Sequence, residues 1–203
     1  MKILALDGSS CFISLALATE EGVTAERAFD ASARRALDLF AAAEALLAQA
    51  GWSFAEIGQF VAGRGPGSYT GLRVTLTAAR AWALPRGLPV AATSSPAAVA
   101  AEAYAAHPAW TEELVVSGDA RRGTEWAVRF ARDGKTLVRQ TGAERLVAAG
   151  EKALLWPEAR WLPRDQAPRA AFLAKLFLAG YPTEEAVPKY MHPAVAATAV
   201  PAG

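Results

Sequence analysis

Gly63-Arg64-Gly65-Pro66-Gly67-Ser68-Tyr69-Thr70-Gly71-Leu72-Arg73 sets four glycines and a proline between an apolar run and an apolar helical pattern. Such a loop brings backbone close to something, because glycine allows positive φ and close approach. Ser68 or Thr70 supplies an oxygen to cap the helix that follows. One reading is a phosphate cradle at a helix N-terminus. The spacing fits neither standard version. No lysine closes the loop as a P-loop requires, and counting from Gly65 the last position of Gly-x-Gly-x-x-Gly falls on Thr70. The other reading is a tight strand-to-helix turn with no ligand, and spacing alone leaves both open.

Upstream of the loop, Ile3 to Leu6, Phe12 to Ala18 and Val23 to Phe29 read as strands, with Thr19-Glu20-Glu21-Gly22 as a hairpin turn, an antiparallel meander. Helix-favouring sequence runs from Ser32 or Arg34 to Gln49 and ends at Gly51. Strand Gln59 to Ala62 feeds the glycine loop. The next helix, Tyr69 to Leu84, carries Leu72, Leu76, Ala79 and Ala83 on one stripe and stops before Pro85. Val90 to Ala92 reads as a strand. A helix capped by Ser94 or Ser95 runs from Pro96 to Ala106.

The pattern then starts again. Leu114 to Ser117 is a strand ending at Asp119, Glu125 to Phe130 a second, and Thr136 to Gln140 a third after the turn at Arg132-Asp133-Gly134-Lys135. Asp7 precedes Asp119 by 112 residues, and Glu21 precedes Asp133 by the same offset. This duplication points to an α/β protein of two-lobed actin-like or ribonuclease H-like architecture with a reduced second lobe. The halves are 1–106 and 107–203. The second is poorer: a weak strand at Ala153 to Trp156, another near Trp161, one helix from Pro168 to Leu178, and an alanine- and proline-rich tail.

A chain of 203 residues, 53% apolar and 20% charged, suffices for a proper core. A net charge of +1 supplies no whole-protein field to hold RNA or an anionic membrane, although 16 of the 21 basic residues are arginine. The single cysteine, Cys11, excludes an internal disulfide and leads us to expect a reducing, cytoplasmic setting, with the thiol in the core. The run Ile3 to Leu6 meets Asp7 too early for a signal peptide, and no membrane span is expected.

In an actin-like cleft, Asp7 and Asp119 would face a metal-bound phosphate, with Ser9 in the adjoining turn donating hydrogen bonds. Two arginines crowd the second turn, Asp119-Ala120-Arg121-Arg122-Gly123, and a late glycine-rich adenosine pocket is missing. His107 and His192, the two histidines, both precede proline and lack metal-ligand spacing. An ATP-dependent phosphotransferase using Asp7 and Asp119 is one alternative. A two-metal nuclease using Asp7, Glu44 and Asp119 is another.

The opening Ile3-Leu4-Ala5-Leu6-Asp7-Gly8-Ser9-Ser10, the glycine loop, and Asp119-Ala120-Arg121-Arg122-Gly123-Thr124-Glu125-Trp126 together resemble the TsaB (YeaZ) family. The loop resembles a segment shared with that family's larger relative, TsaD. Pro188-Lys189-Tyr190 is similar to the family's late Pro-x-Tyr. The resemblance implies a non-catalytic scaffold in bacterial tRNA threonylcarbamoyladenosine formation, which binds and activates a TsaD-like catalytic subunit. It further implies an additional ATPase subunit in the same complex, a homodimer when the partner is absent, indirect contact with tRNA, and no cofactor beyond weak ATP or ADP binding at vestigial Asp7, Ser9 and Asp119. No metal and no catalytic residue is expected. The implied partner interface lies on the two long helices of the first half, with Leu37, Phe40, Ala41, Leu72, Leu76 and Ala79. Gly63, Arg64, Gly65, Pro66, Gly67, Ser68, Gly71 and Arg73 then form a structural loop. Where many relatives carry a histidine before the first long helix, this chain has Ala33-Arg34-Arg35, so no role of that histidine carries over.

Overall fold

Strand β1 (Ile3–Asp7) is buried along its whole length, as the four-residue apolar run before Asp7 must be inside a two-faced sheet. It pairs antiparallel with β2 (Phe12–Thr19), which pairs antiparallel with β3 (Gly22–Asp30). On its other side β1 runs parallel to β4 (Gln59–Gly63), and β4 parallel to β5 (Val90–Thr93), giving the order β3-β2-β1-β4-β5. The parallel register sets Leu6 beside Ala62 and Gly63 beside Thr93. The C-terminal ends of β1, β4 and β5 therefore meet at one edge, where the next connections begin. The structure, a computed structural model, describes residues 1–30, 38–148, 151–152 and 154–191.

Alternate residues of β1 feed two cores. Leu4 and Leu6 pack with α1 (Leu39–Gln49) and α2 (Tyr69–Ala83), while Ile3 and Ala5 pack against α3 (Ser95–Ala106) and α4 (Ala170–Leu178). Helix α2 is capped by Ser68, whose Oγ accepts from the Gly71 N–H, and α3 by Ser94, whose Oγ accepts from the Ala97 N–H. The Ala170 N–H at the start of α4 donates to Ser14 Oγ of β2 at 2.8 Å, so a helix from the second half is capped by the first.

The second sheet runs β10-β6-β7-β8, with β9 also on β7; its strands are β6 (Leu114–Arg121), β7 (Thr124–Asp133), β8 (Leu137–Gln140), β9 (Arg145–Ala148) and β10 (Arg160–Trp161). Helix α3 packs on β6, β7 and β8, and α4 on β1, β2 and β4, so the two helices form one shared layer between the sheets. The far face of the second sheet carries no helix among the described residues. Val115, Ala127 and Val147 are covered there by Leu155, Trp156, Ala159 and Trp161. Lys152 and Arg129 lie over the indoles of Trp161 and Trp156. The chain then returns to the first sheet: the Glu184 N–H donates to Ala92 O, and the Lys189 N–H to Arg64 O at 2.7 Å, which covers the free edge of β5.

Two expectations need correction, and a third lies outside the described residues. Strand β6 continues through Asp119 to Arg121, because its partner strand continues opposite it. Ala153 to Trp156 forms no strand in its described part: residues 151–152 and 154 are turn, and Ala153 lies outside the described residues. The strand in that region is β9, where only Val147 is buried, so no apolar alternation announced it. Described helix begins at Leu39; Leu37 and Ala33-Arg34-Arg35 lie outside the described residues.

Candidate functional site

At the edge where β1, β4 and β5 end, the Asp7 carboxylate is fully enclosed. Its Oδ1 accepts from the Ser9 N–H and the Ser9 Oγ, both at 2.7 Å, and its Oδ2 accepts from Ser95 Oγ at 2.6 Å. Ser95 Oγ in turn accepts from the Gly65 N–H at 3.0 Å. Burial pushes the Asp7 carboxyl above its ordinary value, against the opposing pull of the Ser95 and Ser9 hydrogen bonds. A Cβ at Gly63 would overlap Asp7 Oδ2 and stand 2.6 Å from Ser95 Oγ. One carboxylate thus ties the end of β1, its following turn, and the start of α3 into a single joint.

The glycine loop closes over this joint. The Ser68 N–H donates to Ser9 O at 2.7 Å, and the Ser95 N–H donates to Gly65 O. A Cβ at Gly67 would overlap Ser9 O, and one at Gly71 would overlap Gly8 O. What the glycines approach is therefore the protein's own Asp7 to Ser10 turn. The peptide between Gly65 and Pro66 is cis. Arg64 ion-pairs with Glu184 of the returning segment, while Arg73 donates to Tyr69 Oη at 2.6 Å on its own helix. The loop is a packing device on both sides.

Beside it lies the cleft between the lobes, about 860 Å³, lined by Ser9, Ser68 and Tyr69 on one wall and Asp119, Arg121 and Trp126 on the other. Asp119 is exposed; its Oδ1 accepts from the Arg121 N–H at 2.8 Å and its Oδ2 pairs with Arg121 Nη1 at 3.3 Å. Arg121, Arg122 and Gly123 all have positive φ, at 70°, 54° and 75°. Cys11 is exposed at the cleft, which corrects its assignment to the core: it follows the turn, outside the buried stretch of β2.

The fold class implies a metal-bound nucleotide in such a cleft, and the residues present do not fit one. Both Asp7 oxygens are taken up by protein donors, and a metal would have to break that joint. Asp119 is spent on its own turn. Among the described residues no group of three histidine, cysteine, aspartate or glutamate side chains is arranged to hold a metal ion. Ser9 lines the cleft, but its hydroxyl hydrogen is committed to Asp7.

The expected interface residues divide sharply. Leu72, Leu76 and Ala79 are at most 2% exposed, Leu76 and Ala79 in the core under α2 and Leu72 against Gly65 of the loop, which corrects their assignment to a partner surface. The stripe that carries them is the helix's inward face. Phe40 and Ala41 are exposed, and Phe40 stands edge-on to Trp82 at 5.2 Å. Trp82 stacks on toward Phe54 and Phe60, so an aromatic column runs from the surface into the core. Leu84, just after α2, is 78% exposed and was not singled out by the sequence reading. Nor was Ser95 as a partner of Asp7, since only the parallel register of β1, β4 and β5 brings the two together. A hydroxyl just after a short strand is too common to signal it.

Two mixed sheets sharing one helical layer, with a cleft between their strand ends, define a two-lobed actin-like α/β protein. The family model described as "TsaD: tRNA N6-adenosine threonylcarbamoyltransferase" matches residues 15–171. The chain belongs to this family, on its TsaB (YeaZ) branch. It is similar to the tRNA threonylcarbamoyladenosine biosynthesis protein TsaB of Bacillus subtilis, 33% identical over 47% of this chain and 42% of that protein. It is also similar to TsaB of Haemophilus influenzae, 31% identical over 66% of this chain and 55% of the relative. The matched stretches thus span about half the length of these curated relatives. The solved structure of YeaZ from Pseudomonas aeruginosa superimposes with a TM-score of 0.81 and 25% identity, covering 94% of this chain and 99% of that one. No described helix is long and apolar enough to cross a membrane.

Proposed function

We propose that this protein is a non-catalytic partner subunit in tRNA threonylcarbamoyladenosine formation, and that it docks a TsaD-type catalytic subunit on the outer face of α1 and α2. The observation that carries the reading is the exposed column of Phe40 on Trp82, with Leu84 solvent-facing at the end of α2. An exposed aromatic on a rigid helical layer, with alanines beside it on α1, suits a close-packed interface core. A joint that occupies Asp7 completely supports a role without chemistry of its own in the cleft. The same helical face serves a second copy of this chain when the partner is absent, and contact with tRNA comes through the catalytic subunit. A further ATPase subunit completes the complex in this reading, which places the protein in the cytoplasm. The phosphotransferase and nuclease alternatives require Asp7 free for a metal, and the enclosed carboxylate counts against both.

The test is titration calorimetry of the purified chain against the TsaD-type subunit of its own organism. The expected interface buries on the order of 800 Å² per partner. Phe40→Asp and Leu84→Asp each weaken association about 100-fold, roughly 2.7 kcal/mol, by placing a charge in the desolvated centre. Leu84→Asp keeps the wild-type Tm, since Leu84 is 78% exposed, whereas Phe40→Asp also loses the edge-on contact with Trp82, about 1 kcal/mol of stability. Unchanged affinity in both variants overturns the assignment of this face.

A further inference from the structure

A second cavity, about 390 Å³, lies between the start of the glycine loop, β8 and the returning segment, and shares no lining residue with the interlobe cleft. Its walls carry both signs of charge. Lys189 Nζ donates to Glu144 Oε1 at 2.7 Å, and Arg64 Nη1 pairs with Glu184 Oε2. Each carboxylate thus spends one oxygen, and the second oxygens of Glu144 and Glu184 have no donor among the described residues. The Glu144 side chain is 12% exposed, so most of it lies against the cavity wall. Tyr181 lines the same cavity, and its phenol is pushed up to about 12 by burial first and then by the negative charges of Glu144 and Glu184. Arg139 lines the same cavity from β8; its side chain makes no hydrogen bond or ion pair among the described residues, although its charge reaches Asp133, and Gln140 beside it in sequence also lines the cavity.

A simple anion entering here would meet Glu144 and Glu184, and a simple cation would meet Arg64, Arg139 and Lys189. A zwitterion avoids both penalties, because each end finds a partly committed or uncommitted group of opposite sign in a half-enclosed space where charge-assisted hydrogen bonds are strongest. The volume lies at the small end of the ligand-site range. We propose that this cavity binds a free α-amino acid, with its ammonium group between Glu144 and Glu184 and its carboxylate on Arg139. The site shares no residue with the proposed partner face on α1 and α2, so the two assignments stand or fall separately.

The experiment is calorimetry and thermal shift on the whole chain with the twenty standard amino acids one at a time, and with acetate, inorganic phosphate and ethylamine as single-charge probes. At least one amino acid is expected to bind about tenfold more tightly than any single-charge probe. Arg139→Ala and Glu144→Gln are each expected to weaken that binding about tenfold or more. Arg139 is exposed, so its variant keeps the fold even if Glu144→Gln loosens the packing around Lys189. Acetate or phosphate matching the best amino acid would make this an anion site and overturn the proposal. Ethylamine matching it, or the absence of any binding up to about 10 mM, would overturn it equally.

Discussion

Asp7 and Asp119 stand 112 residues apart at matching places in two halves of similar pattern, yet they do opposite work. Asp7 is 1% exposed and holds three donors from two segments. Asp119 is exposed and braces a hairpin through its own Arg121. The difference lies in what arrives beside each strand end. In the first lobe two further parallel strands, β4 and β5, deliver a glycine loop and a serine to the first strand's end. In the second, β6 is flanked by antiparallel β7 and by the two-residue β10, which brings no such loop. Duplication of strand order therefore does not duplicate a site, because the polar joint is made by the neighbours a strand acquires.

Substituting the turn glycines should break this comparison most violently. Gly67→Val drives a side chain into Ser9 O, and we expect loss of more than about 4 kcal/mol, enough to prevent folding and partner binding together. Gly123→Val meets no neighbour and carries only the strain of φ +75°, so it should cost about 1–2 kcal/mol in urea unfolding. If the Gly67 variant folded normally and lost only a ligand, the loop would be a binding element after all.

The aspartates themselves come next. Asp7→Ala strands the Ser9 and Ser95 donors in a dry site and should cost on the order of 3 kcal/mol, while Asp119→Ala, at the solvent edge, should cost less than about 1 kcal/mol. Equal losses would show that both ends are built alike. The smallest effect is in pH dependence. Burial raises the folded pKa of Asp7 above 3.8, so the folded chain holds this proton more tightly than the unfolded chain does. Its contribution is fully present below about 3.8 and declines as pH rises through the raised value. The stability of wild type relative to Asp7→Asn should therefore fall with rising pH across that window. A flat difference would mean that Asp7 is well solvated.

Most elements were legible in the sequence because their signals are local. The alternation and length of Phe12 to Ala18, the turn at Glu20-Glu21, and the caps and stops around Tyr69 to Ala83 each depend on residues within a few positions. Family membership was legible from the glycine loop together with two strand-end motifs. Strand β9 was not, because only Val147 of its four residues is buried and its place is set by β7.

The candidate site was legible only in part. Leu72, Leu76 and Ala79 share a helical stripe with the right period for burial, but a period does not say whether the stripe meets the protein's own sheet or a partner. Only packing against β1 and β4 settles that it faces inward. By itself, then, the chain determined the strand and helix order up to β8, its two-lobed duplication, and a loop so rich in glycine that something had to touch its backbone. The tertiary structure decided what touches it. That partner is the Asp7 to Ser10 turn, 56 residues away between Asp7 and Gly63 and 63 between Gly8 and Gly71, and adjacent in space only because β1 and β4 run parallel in register. Contacts at such separation leave no local trace, since the same serines and glycines serve equally well in any turn.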